Sequence, residues 1–88
     1  MKQSPDFFIT ELSGGHILVP VGNAAVDFNS IVSLNDMGQT IWNMLENETT
    51  AEEILKNILA EYDVSEEKAR ADIDKFIAKL RENGCIED

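Results

Sequence analysis

The chain has 88 residues, enough for one domain spanning 1–88 with a single small core, and 17 acidic against 7 basic residues give a net charge of −10. This charge disfavours nucleic acid as a ligand, because phosphate binding depends on Lys and Arg. A lone cysteine, Cys85, excludes an internal disulfide, and no apolar run approaches the roughly 20 residues that span a bilayer. The sequence therefore predicts a cytoplasmic protein that does not enter membranes.

The beginning of the chain is predicted to form strands. Phe7–Leu12 is rich in β-branched and aromatic residues, and 16–20 is a second apolar run. The turn residues at 13–15 join the two into a β-hairpin, with His16 exposed at its tip. Residues 1–5 are polar and are expected to fray.

A third strand is predicted at 31–34, after a loop marked by Gly22 and Asn23. Three short strands form a small sheet, and a small sheet has edges. An edge strand carries a row of unpaired backbone N–H and C=O groups, which can pair with another chain.

Three helices are predicted to follow the strands. Asn35 caps the first, Thr50 the second and Ser65 the third, because short polar side chains accept hydrogen bonds from free N–H groups of a first turn. Glu53 completes a capping box with Thr50. Apolar residues recur at helical spacing in all three segments, and Gly84 predicts the end of the third helix.

One face of the third helix differs from a plain core helix. Lys75 and Lys79 lie one turn apart beside the small residues Ala71 and Ala78, which leaves a shallow trough with a polar rim. The alternative interpretation is a solvated face on which the lysines balance nearby acids.

The sequence contains no motif for catalysis. It has no Gly-rich phosphate loop, no metal-ligand spacing and no arrangement that activates a Ser, Cys or His nucleophile. We therefore expect no enzyme, no cofactor and no metal site, and predict an interaction module.

The element order predicts an α+β domain: a small winged helix-turn-helix-like fold in which a three-stranded antiparallel sheet precedes three helices. Several motifs in fixed order then resemble the PqqD family. They are the run Leu34-Asn35-Asp36-Met37-Gly38-Gln39-Thr40-Ile41-Trp42-Asn43-Met44-Leu45, then Thr50-Ala51-Glu52-Glu53-Ile54, Glu61-Tyr62-Asp63-Val64, Asp72-Ile73, and 80–84.

This resemblance implies a peptide chaperone, also called a RiPP recognition element, which binds precursors of ribosomally synthesised and post-translationally modified peptides. It implies that the leader segment of the precursor docks as an added strand between the third strand and the third helix. A radical SAM maturase would then receive the peptide. Residues 21–33 lengthen the connection that the family keeps short, so pyrroloquinoline quinone biosynthesis and another modified peptide both stay open.

The peptide-binding residues expected from this resemblance and from the trough fall into two groups. The strand supplies Ile31, Val32 and Ser33, and the helix supplies Asp72, Lys75, Phe76 and Lys79. Phe76 could instead belong wholly to the core. Two other functions stay open: a winged-helix nucleic-acid-binding regulator that uses the third helix, and a structural subunit of an enzyme complex.

Overall fold

A computed structural model describes residues 1–21 and 32–87 of the chain. The elements in chain order are β1 (Lys2–Gln3), β2 (Phe7–Leu12), β3 (Gly15–Pro20), β4 (Val32–Leu34), α1 (Asp36–Met44), α2 (Ala51–Glu61), α3 (Glu66–Glu82) and β5 (Ile86–Glu87). Strands β2, β3 and β4 form an antiparallel sheet in that order, and β1 pairs with β5. The predicted α+β architecture of three strands followed by three helices is confirmed.

The hairpin between β2 and β3 has a two-residue turn. Ser13 and Gly14 both have positive φ, 51° and 82°, as a type I′ turn requires. Leu12 therefore pairs with Gly15, so Gly15 begins β3 and does not belong to the turn. The expectation for His16 was wrong: its half-buried side chain lies inside β3, 4.0 Å from the Glu11 carboxylate.

All three predicted N-caps are confirmed. The Asn35 side chain accepts a hydrogen bond from Gly38 N at 2.7 Å, and Ser65 accepts one from Lys68 N at 3.2 Å. Thr50 likewise accepts from Glu53 N at 3.2 Å, but the capping box is incomplete. The Glu53 carboxylate accepts from Thr49 Oγ1 at 3.1 Å instead of reaching back to the cap.

The end of α3 is a Schellman motif. Gly84 has φ +72°, Cys85 N donates to Leu80 O at 2.8 Å, and Gly84 N donates to Arg81 O at 3.1 Å. Cys85 is fully buried against the core, and burial raises the pKa of its thiol to about 11. Cys85 therefore packs as a small apolar residue of the core.

The core takes side chains from the sheet and from all three helices. Its fully buried members include Leu18, Val32, Trp42, Ile58 and Leu80. Polar contacts hold the helices in position around it: Tyr62 and Thr40 share a 2.9 Å hydrogen bond between their hydroxyls, and Arg70 of α3 reaches Glu52 of α2 at 2.6 Å.

The expected fraying of residues 1–5 was wrong. Gln3 N donates to Leu45 O at 2.8 Å, and Ser4 N donates to Cys85 O at 2.9 Å. Ser4 is buried, and Lys2 pairs with Glu87 across the β1–β5 ladder. The segment is ordered by tertiary hydrogen bonds to groups more than 40 positions away in the sequence, which its polar composition does not indicate.

Candidate functional site

The register of the sheet determines which backbone groups of β4 face outward. Val21 N donates to Asp6 O at 2.8 Å, which makes these residues a hydrogen-bonded pair of the β2–β3 ladder. Such pairs recur at every second residue of an antiparallel ladder. By this alternation Ile17, opposite Thr10, directs its backbone groups toward β2.

The next residue of β3, Leu18, then directs its backbone groups toward β4 and forms a hydrogen-bonded pair with Val32. Ser33 lies opposite Ile17, between two such pairs, so its N–H and C=O point away from β3. In the described residues β4 has β3 as its sole neighbour in the sheet. Ser33 therefore presents an open donor and acceptor at this edge.

A groove of about 520 Å³ lies beside this edge, between α1 and α3. Five of the predicted site residues line it: Ser33, Asp72, Lys75, Phe76 and Lys79. Val32 precedes Ser33 in β4, but its side chain is fully buried and its backbone groups face β3, so it does not line the groove. Ile31 lies outside the described residues. Assignment of these residues to peptide binding stays a prediction.

One wall of the groove comes from α1 and was not predicted. Asn35, Met37, Gly38 and Ile41 line this wall. Met37 and Ile41 belong to the apolar stripe that the helical spacing assigned to the core, and Ile41 is indeed buried. The apolar stripe of α1 continues from the core into the groove. Helical periodicity predicts the stripe, but it does not show where the core ends and the groove begins.

Phe76 forms the contact between the two helical walls. A Cβ atom added to Gly38 would lie 3.3 Å from Phe76 Cε1 and 3.2 Å from the Asn35 side-chain oxygen. The absent side chain of Gly38 thus lets the aromatic ring lie against the first turn of α1. Phe76 is half-buried and packs against the core while it lines the groove, so neither of its two predicted roles excludes the other.

Two lysines line the groove and have no ion-pair partner among the described residues. Lys75 and Lys79 are exposed, and no carboxylate in the described part of the chain lies within ion-pair distance of either. Asp72, near the other end of the lining, is 3.4 Å from Lys68. The groove is therefore positive toward Lys79, while the acid at its Asp72 end is offset by a neighbouring lysine.

Two other basic residues of α3, Arg70 and Lys68, are engaged by acids. Arg70 pairs with Glu52 at 2.6 Å; this hydrogen bond and the charge of Arg70 lower the pKa of Glu52, and Glu52 raises the pKa of Arg70 in the same way. Lys68 is engaged by Asp72. Lys75 and Lys79, on a chain of net charge −10, offer little to a duplex, which binds through many phosphate contacts.

Metal-ligand clusters and membrane-spanning helices are two features that the described residues lack. Among residues 1–21 and 32–87, no three His, Cys, Asp or Glu side chains come together as a metal site would need. None of the helices in those same ranges combines the length and the apolar composition of a membrane span.

The sheet, the three helices and the groove place the protein in the class of small winged helix-turn-helix-like α+β domains. Within that class, the chain belongs to the PqqD family: the sequence profile described as coenzyme PQQ synthesis protein D matches residues 15–86. No curated protein sequence matches the chain significantly.

Two solved structures are similar to this protein. One is described as TbiB1 in complex with the TbiA(beta) leader peptide; it has 25% sequence identity, covers 99% of this chain and 95% of its own, and superposes with a TM-score of 0.76. The other is a lasso peptide synthetase B1 complexed with the leader peptide, with 22% identity, coverage of 99% and 96%, and a TM-score of 0.75. The second likeness shows the fold alone.

Proposed function

We propose that this protein is a peptide chaperone that binds the leader segment of a ribosomally made precursor as an added strand on β4. The observation that carries the proposal is the open backbone edge at Ser33 beside the groove lined by α1 and α3. Membership of the PqqD family supports it, as does the likeness to TbiB1, whose structure holds a leader peptide.

An extended peptide satisfies the open edge directly. The peptide residue that pairs with Ser33 accepts from its N–H and donates to its C=O, and neighbouring peptide side chains then alternate between the two faces of the sheet. Val32 and Leu34 have buried side chains that face the helices, so peptide residues on that same face enter the groove. Backbone pairing supplies affinity, and the groove supplies selection.

The protein binds without catalysing, and presents the peptide to a modifying enzyme. The family profile names synthesis of the coenzyme PQQ. For that pathway the family resemblance implies a radical SAM maturase that acts on a precursor peptide, and we propose that the two proteins meet in the cytoplasm. The leader peptide bound to TbiB1 is described as TbiA(beta), so a precursor of another modified peptide is an equal candidate.

The sharpest test is Ser33→Pro compared with Ser33→Ala. Proline removes the outward N–H and places its ring where the added strand would lie, yet leaves the β3–β4 ladder intact, as edge prolines do. We expect at least about a tenfold loss of affinity for a leader peptide that binds the unmodified chain, because the hydrogen bond from the Ser33 N–H and the close approach of the two strands are both lost. Ser33→Ala keeps the N–H and should bind within about twofold of the unmodified chain.

Equal binding by the two variants would contradict strand addition at this edge. A map of backbone amide shifts on the unmodified chain gives an independent measurement that does not rely on the folding of Ser33→Pro. Titration with the leader segment should move signals at 32–33 and 75–79. Shifts that spare both β4 and α3 would place the peptide elsewhere, and a chain that binds the maturase but no leader segment would be a structural subunit.

A further inference from the structure

The chemistry of the groove also specifies what kind of peptide it selects. This selectivity rests on the proposed function, and its first physical basis is the distribution of charge. Lys75 and Lys79 carry unpaired positive charge beside the groove of a chain whose net charge is −10. Over most of this acidic surface an acidic peptide residue meets repulsion, whereas at these two lysines it gains attraction.

The spacing along the groove limits how many side chains it can read. Asp72 and Lys79 are seven residues apart on α3, which is about 10 Å along the helix axis. An extended peptide places every second side chain on the same face, about 6.6 Å apart. The groove lining therefore accommodates two peptide side chains that face α3, separated by one that faces away.

The two ends of the groove favour different side chains. Met37, Phe76 and the buried Ile41 supply apolar surface to the groove lining, and the missing Cβ of Gly38 lets the Phe76 ring lie close against α1. Side chains on a helix lean toward its N-terminus, so the Phe76 ring covers the turn that holds Asp72, and this acid disfavours a second carboxylate there. Lys79 at the opposite end favours one, and Lys75 lies one turn away, about 6 Å along the axis.

We infer that the groove selects extended peptides in which an acidic residue lies two positions from an apolar anchor. The apolar side chain packs on Phe76 and Met37, and the carboxylate reaches Lys79, with Lys75 adding attraction along the approach. The intervening peptide residue pairs its backbone with Ser33 and points its side chain to the opposite face of the sheet.

A random dodecapeptide library displayed on phage provides a probe that assumes no precursor. It is selected on the unmodified chain, on Lys75→Glu, on Lys79→Glu and on Lys56→Glu. Lys56 is an exposed helical lysine that does not line the groove, so its variant carries the same change in net charge. The unmodified chain and Lys56→Glu should enrich the apolar and acidic pair at a separation of two.

Lys79→Glu should lose the acidic residue and enrich Lys or Arg at that position, and Lys75→Glu should weaken the acidic preference. A synthetic peptide from the unmodified selection should bind about two- to fivefold more weakly when its acid is replaced by the neutral amide, the range for exposed ion pairs. Enriched peptides without an acid, or an acid preference that neither groove variant alters, would overturn the inference while peptide binding itself stands. Failure of every folded variant, checked by circular dichroism, to enrich any peptide would overturn the proposed function as well.

Discussion

Gly38 shows how one absent side chain can shape a groove. Its position in the first turn of α1 would favour alanine on helix propensity alone, by at most about 1 kcal/mol. The modest crowding that alanine would cause falls on Asn35 and Phe76, at 3.2–3.4 Å. Phe76 borders the open groove, so its ring can yield outward into the space that the peptide would occupy.

For Gly38→Ala we therefore expect little change in stability and a clear loss of binding. The free energy of unfolding should change by less than about 1 kcal/mol, since propensity and crowding oppose each other. Affinity for the leader peptide should fall roughly twofold to tenfold, the cost of holding a displaced ring. Urea unfolding and a peptide titration measure the two quantities.

Gly14→Ala is the matched control for that prediction. Gly14 has φ +82°, so alanine there is strained, but the position is in the hairpin turn and does not line the groove. This variant should lose stability and keep its affinity. If Gly38→Ala bound the peptide as tightly as the unmodified chain, the peptide would not pack against the Phe76 ring.

Residue-level prediction from the sequence succeeds where spacing carries the information. Lys75 and Lys79 are four apart on a helix, so they share a face in any tertiary structure. Gly38 could not be identified in this way, because its role depends on Phe76, which is 38 positions away and meets it only through tertiary packing.

At the scale of elements, local capping chemistry made the helices predictable. Asn35, Thr50 and Ser65 each bond an N–H three residues ahead, an interaction contained within one turn of chain. The β1–β5 ladder had no such local signal. Each of its strands is two residues long, too short for an alternating pattern, and its pairing depends on the two ends of the described chain meeting on the core.

Substitution of the N-cap of α3 tests whether the stability of this helix and its proposed affinity for peptide are independent. Ser65→Ala removes the acceptor for Lys68 N and should lower the free energy of unfolding by about 1 kcal/mol. Lys75 lies more than two turns further along, so leader-peptide affinity should change by less than about twofold. Ser65→Asp retains a capping oxygen and should stay close to the unmodified stability; a large affinity loss in Ser65→Ala alone would show that the first turn of α3 contributes to the groove.

For the whole molecule, the fold follows from the sequence more completely than the site does. Periodicity and caps specify which faces of α1 and α3 are apolar, but not that those faces diverge beside β4 to leave a cavity. The open edge likewise depends on sheet order, a tertiary property. The sequence cannot distinguish Ser33 from Val32 as the residue with outward backbone groups, because that direction depends on the register between β3 and β4.

Net charge is a property of the whole molecule with a consequence for stability. The chain carries a charge of −10, and its longest dimension is 39 Å. At very low salt the screening length is about 30 Å, so acids across most of the molecule repel one another, whereas at 0.1 M it is about 10 Å. Screening this repulsion favours the compact state, while the exposed Arg70–Glu52 ion pair loses little, because water already weakens an ion pair at the surface.

Added NaCl should therefore stabilise the protein. Between very low salt and 0.1 M, the free energy of unfolding should rise by an amount on the order of 1 kcal/mol. Urea unfolding measures it, because urea adds no ions. Glu61→Lys is the informative variant: Glu61 is exposed in the last turn of α2, which has no basic residue to complement the negative end of the helix. The substitution should stabilise the chain by about 0.3–1 kcal/mol and reduce its gain from salt, with Glu61→Gln intermediate. A stability that falls as salt rises would mean that short-range ion pairs outweigh the repulsion among the acids.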